Sequence, residues 1–164
     1  MSRFRNILVA VDFSQTSDDA FAVAAELSRT FRAQVHLIHV VQSVHIPYAI
    51  EPIAFDFGAY MRESTETART KLADLAARHS IEHGLLTTTV LCGPPAAEIV
   101  RYAEDHANDL IVLGAHGHGI VDRLLIGSVA ERVARHAPCA VLMVPHAMRR
   151  LTTFEAEAAA GVAN

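Results

Sequence analysis

Five short runs rich in β-branched residues, at 6–11, 35–41, 87–91, 110–114 and 140–144, alternate along the chain with stretches of helical periodicity. Most of these runs lack a clean apolar–polar alternation, as strands do when both sheet faces are covered. The pattern is that of a parallel sheet. Between the runs, Ala20, Ala24, Leu27 and Phe31 fall on one helical stripe, with Ser17 and Asp18 near its start as caps. A second stripe over 60–83 carries Leu72, Leu75, Ala76 and His79, and Gly84 is placed to stop it. A third begins near Pro95 and uses Ile99, Val100, Ala103 and Ala107. The fourth spans about 122–137 with Leu125, Val129 and Val133, and Pro138 ends it. Gly127 and Ser128 interrupt that last stripe, so a start near Ser128 is the alternative. Five strands and four helices in this order, joined by right-handed crossovers, make a layered α/β fold.

At 164 residues the chain has room for about one domain. The connection at 42–59 exceeds the usual strand–helix loop and carries Pro47, Pro52, Tyr48, Phe55 and Phe57, which reads as a lid or an interface arm. Residues 1–146 form the expected domain, and 147–164, alanine-rich and of low bulk, a flexible or weakly helical tail. The 14 Lys plus Arg against 18 Asp plus Glu give a formal charge of −4, which argues against a partner recognised through its phosphate backbone, so no nucleic acid is expected. Cys92 and Cys139 are too few for a disulfide framework and read as small buried hydrophobes. The apolar run before Asp12 is short for a secretory signal, and a membrane span needs about 18 apolar residues, which no stretch supplies; the expectation is a cytoplasmic protein.

The fourth run leads directly into Gly114, His116, Gly117, His118 and Gly119, followed by Gly127 and Ser128 before a helical stretch. Glycines between a strand and a helix let backbone amides wrap an anion, and a helix beginning at Ser128 would present the Ser128 and Val129 amides with its dipole. The spacing matches neither GxGxxG nor a Walker loop, and each glycine taken singly has a structural reading as well. Asp12 ends the first run, at the edge of an open parallel sheet where ligands bind; it suits a ribose hydroxyl, a phosphate-bound metal, or a cap on the first helix. Ser14 reads as a cap. Val40, at the end of the second run, offers backbone groups to a base or packs in the core. His116 and His118 lack a third ligand at metal spacing, so they read as loop histidines near a ligand, their protonation able to tune anion affinity. No G-x-S-x-G elbow occurs for covalent catalysis.

The stretches at 6–14, 37–40, 95–99, 127–139 and 141–145, together with Gly114, Gly117, Gly127 and Ser128, resemble the universal stress protein family in its nucleotide-binding branch. The resemblance covers about residues 3–146. It implies an open parallel five-stranded sheet of order 3-2-1-4-5 with helices on both faces, Rossmann-like and similar to the adenine nucleotide alpha-hydrolase folds. It further implies ATP with Mg²⁺ at the strand ends. Asp12 would meet the ribose or the metal-phosphate region, Val40 would hold adenine through its backbone, and Gly114, His116, Gly117, Gly127, Ser128 and Val129 would surround ribose and phosphates. Many ATP-binding members carry proline where this chain has Val11. A homodimer through the last strand, between Val141 and Val144, is implied as well, and pairing two such apolar edges would hide both. The expected role is a nucleotide-dependent regulatory or sensor module with a regulatory protein partner. A weak ATPase or nucleotidyl-transferring enzyme and a nucleotide-independent dimeric interaction protein are the alternatives.

Overall fold

The computed structural model describes residues 4–42, 56–79, 81, 85–116 and 126–145. Its elements run β1 (Asn6–Ala10), α1 (Gln15–Phe31), β2 (Gln34–Val41), α2 (Phe57–Arg78), β3 (Leu86–Cys92), α3 (Pro95–Asp105), β4 (Leu110–Gly114), α4 (Ser128–His136) and β5 (Ala140–Val144). The five strands form one sheet in the order β3-β2-β1-β4-β5, and every neighbouring pair is parallel.

Successive strand residues point to opposite faces, so the continuous apolar runs feed two cores at once. Ile7, Val9, Val35, Leu37, Leu110 and Val112 pack under α1 and α2 against Ala20, Phe21, Leu72 and Leu75. Leu8, Ile38, Ile111 and Leu113 pack on the other face under Ile99, Tyr102 and Ala103 of α3 and Ala130 and Val133 of α4. The middle of the sheet is tied at its lower end by Asp109, whose carboxylate accepts from the Arg5 amide at 2.7 Å and the Asn6 amide at 3.2 Å.

Some boundaries match the sequence expectation and others differ from it. Ser14 caps α1: its hydroxyl accepts from the Ser17 amide at 3.3 Å. Asp18, expected as a cap, instead faces Arg78, the last residue of α2, and His79 just beyond it. α2 begins at Phe57 because Asp56 accepts from the Ala59 amide at 2.8 Å, so the helix absorbs the end of the 42–59 connection. It ends at Arg78, ahead of Gly84, which lies outside the described residues, as do 43–55 and the tail from 146. α4 begins at Ser128, the later of the two starts read from the sequence. Cys92 is exposed at the end of the edge strand β3, not buried, and Cys139 is half-buried. Burial, with the Asp109 charge adding to it, pushes the Cys139 thiol up, which keeps it protonated at neutral pH.

Candidate functional site at the strand ends

The chain leaves β1 through α1 on one face of the sheet and leaves β4 through α4 on the other. Neighbouring strands whose crossovers diverge open a crevice at their carboxyl ends. A cleft of about 960 Å³ lies there, within the range of small-molecule sites. Asp12, Val40, Gly114, His116, Gly127, Ser128 and Val129 all line it. Gly117 and His118 lie outside the described residues.

Each wall has a local cause. Past β1 the backbone turns sharply: Phe13 takes a left-handed φ of 65°, a conformation that costs a non-glycine residue roughly 1–2 kcal/mol. The turn is held by Asp12, whose Oδ1 accepts from the Ser14 amide at 3.0 Å and the Ser14 hydroxyl at 2.6 Å. Asp12 lines the cleft and braces Ser14; the cap of α1, one of the roles read for Asp12 from the sequence, belongs to Ser14.

Gly114 sits where the first turn of α1 crosses β4. A Cβ there would lie 3.0 Å from Thr16 Cγ2, 3.1 Å from the Thr16 carbonyl carbon and 3.2 Å from the Ser17 amide nitrogen. Its lack of a side chain is thus used for helix–strand approach.

Opposite, Gly127 stands at the cap position of α4 and supplies no side-chain cap. Its own amide is engaged, donating to the Ala115 carbonyl at 2.8 Å. The first-turn amides of a helix have no intrahelical acceptors and carry the positive end of its dipole, so the Ser128 end of α4 fits a phosphate. His116 Nε2 is buried there without a hydrogen-bond partner among the described residues. Those residues contain no group of three or more His, Cys, Asp or Glu suited to a metal ion.

The sequence reading missed other lining residues. Tyr60 and Ser64 arrive from α2, Pro95 and Ile99 from α3, and His39 from β2. The His39 ring packs 4.4 Å from the Phe13 ring and its Nδ1–H donates to the Val11 carbonyl at 2.7 Å. On the opposite face His36 Nδ1 lies 3.2 Å from the Tyr102 hydroxyl.

Burial holds both imidazoles below their ordinary range. For His36 the nearby His106 adds to the lowering; for His39 the Val11 hydrogen bond and the Asp12 charge oppose it, and Lys71 adds to it. The unfolded chain therefore binds more protons than the native one around and below the ordinary histidine value of about 6.5, and native stability is lost there as the pH is lowered. The melting temperature is expected to hold above about pH 7 and drop from about pH 6.5 toward the lowered native values. A His36→Gln variant should show a shallower drop in thermal melts across that range; an equally steep one would remove His36 from the account.

Comparison with known proteins matches the Universal stress protein family over residues 3–145. A universal stress protein of Methanocaldococcus jannaschii is 34% identical over 142 residues, covering 86% of this chain and 82% of that one. Among solved structures, the universal stress protein UspA from Lactobacillus plantarum superposes with a TM-score of 0.69 at 30% identity, covering 88% of this chain and 99% of that one. A universal stress protein in complex with cAMP shares the fold, with a TM-score of 0.58 at 21% identity and coverage of 88% and 98%.

Proposed function

This chain belongs to the universal stress protein family, and from that premise we propose that it is a nucleotide-dependent regulatory module of the stress response whose cleft takes ATP with Mg²⁺. The observation that carries the reading is the helix start at Ser128, left without a side-chain cap by Gly127 and opening into the same cleft as Asp12 and Val40. An anion there completes the amides that the helix leaves open. Adenine lies against the backbone of Val40, the ribose and the metal-bound phosphates toward Asp12, and the phosphates against Gly127, Ser128 and Val129, with Gly114 and His116 closing the ribose side. A relative of the same fold is known in complex with cAMP, itself an adenine nucleotide, which supports the choice of base.

The functional unit in this reading is a homodimer paired through β5. That strand is an edge of the sheet and carries Leu142, 37% exposed; an apolar edge is hidden when two copies pair.

Titration calorimetry of nucleotide-stripped protein with ATP and Mg²⁺ tests the proposal, with sedimentation of the same sample reporting the dimer. Binding at about micromolar Kd is expected, equivalent to about 8 kcal/mol. No heat and no thermal shift at millimolar ATP would overturn the nucleotide reading, and a species of single-chain mass would overturn the pairing.

A further inference from the structure

We propose that His39 is a positioning residue that ends the β1–β2 ladder one rung early and thereby turns the main chain of Val40 into a base-reading edge; the proposal rests on the adenine-nucleotide reading above. The hydrogen bonds show the alternation that makes this possible. Even-numbered residues of β2 face β1: the Gln34 amide donates to the Arg5 carbonyl at 2.8 Å, and the Ile38 carbonyl accepts from the Val11 amide at 2.9 Å. Odd-numbered residues face β3: the Val35 amide donates to the Leu85 carbonyl at 2.6 Å, and the Val41 carbonyl accepts from the Gly93 amide at 3.0 Å.

By this alternation the N–H and C=O of Val40 point to the β1 side, at the cleft that Val40 lines. The next parallel rung would run from the Val40 amide to the Val11 carbonyl. The register instead stops at Ala10↔Ile38, and the Val11 carbonyl takes the His39 ring N–H at 2.7 Å. Burial favours the neutral ring, and because a carbonyl only accepts, the single ring proton sits on Nδ1. The Phe13 ring, 4.4 Å away, packs beside it.

A strand residue facing outward offers one donor and one acceptor side by side. Adenine presents the complement along its N1 and N6 edge, whereas guanine carries a donor at N1 and an acceptor at O6 and meets the same edge with like groups. His39 thus governs base selectivity without touching the base.

The test compares the parent with His39→Leu, which cannot donate, and His39→Asn, whose amide can reach the position of Nδ1. Calorimetry with Mg²⁺ uses ATP, GTP and inorganic tripolyphosphate. His39→Leu should lose about tenfold in its preference for ATP over GTP, the size of one hydrogen bond. Tripolyphosphate affinity should stay within about twofold, since phosphate contacts are untouched, and His39→Asn should restore most of the preference. Amide hydrogen exchange gives a readout that needs no ligand. In the apo parent the Val40 amide should exchange faster than that of Ile38, and in His39→Leu it should slow as Val40 takes the vacated carbonyl. An equally protected Val40 in the parent, unchanged selectivity in His39→Leu, or parallel loss of ATP and tripolyphosphate binding would each overturn this role alone. A parent that binds no ATP would overturn the reading of the preceding section instead.

Discussion

Replacing Gly127 with aspartate is expected to remove nucleotide binding and leave the fold at least as stable as before. The two effects have opposite signs because one group of amides serves both. At the cap position of α4 the backbone has φ −62° and ψ 145°, a conformation that any residue adopts without strain. Aspartate is among the best cap residues and exceeds glycine at this position by only a few tenths of a kcal/mol. Its carboxylate would then occupy the amides that a phosphate needs and would repel the phosphate by charge. Losing those charge-assisted hydrogen bonds is expected to weaken ATP binding by about a hundredfold or more, some 2.7 kcal/mol. Thermal melting of the apo protein should meanwhile hold level or rise by about 1 °C. Calorimetry and melting on one preparation give both numbers. An aspartate variant that binds ATP as the parent does would place the phosphates elsewhere in the cleft.

Gly114→Val is expected to damage stability and binding together. Valine suits a strand, but its Cβ would press on Thr16 and on the Ser17 amide, two of the three contacts being to main-chain atoms of α1. The helix start cannot retreat freely, because Ser14 caps it and Asp12 holds Ser14. Overpacking of this kind costs about 1–3 kcal/mol, and the backbone contacts put this site at the upper end. A melting temperature lower by roughly 5–10 °C is the expected result. Any shift of α1 also drags Asp12, so ATP affinity should fall in the folded fraction as well. A variant as stable as the parent would mean that α1 does not approach β4 so closely. Set beside Gly127→Asp, this change separates a glycine used for packing from a glycine used to leave amides open.

Much of the fold was legible because its strands are buried on both faces. The runs at 110–114 and 140–144 coincide with β4 and β5, since a continuous apolar run ends where the chain leaves the core. The order β3-β2-β1-β4-β5 was not legible from patterning and came from the family resemblance; periodicity reports which faces are buried, not which strands are neighbours. Helix starts were the weakest part. Asp56 is a good cap, but the prolines and aromatics before it dominated the reading, so α2 was placed three residues late. At the site, the glycines and Asp12 carried a signal because their residue types suit anions. His39 carried none, since a histidine inside an apolar strand reads as core, and only the early end of the ladder reveals its use. Tyr60, Ser64, Pro95 and Ile99 depend on how α2 and α3 cross the sheet, which no local pattern encodes.

The strand order also bears on how the protein comes into being on the ribosome. β1 leaves the exit tunnel first yet lies in the middle of the finished sheet, and its far edge is closed only by β4. Ile7, Leu8 and Val9, fully buried in the end, must therefore wait through the synthesis of about a hundred further residues with one side of their strand unclaimed. The cleft is finished later still, when Gly127 and Ser128 arrive opposite Asp12. A ligand of the kind proposed would meet both walls of the cleft only after Ser128 has been made and folded, and by binding the native state alone it would withdraw folded molecules from the pool still exposed to mispairing and proteolysis.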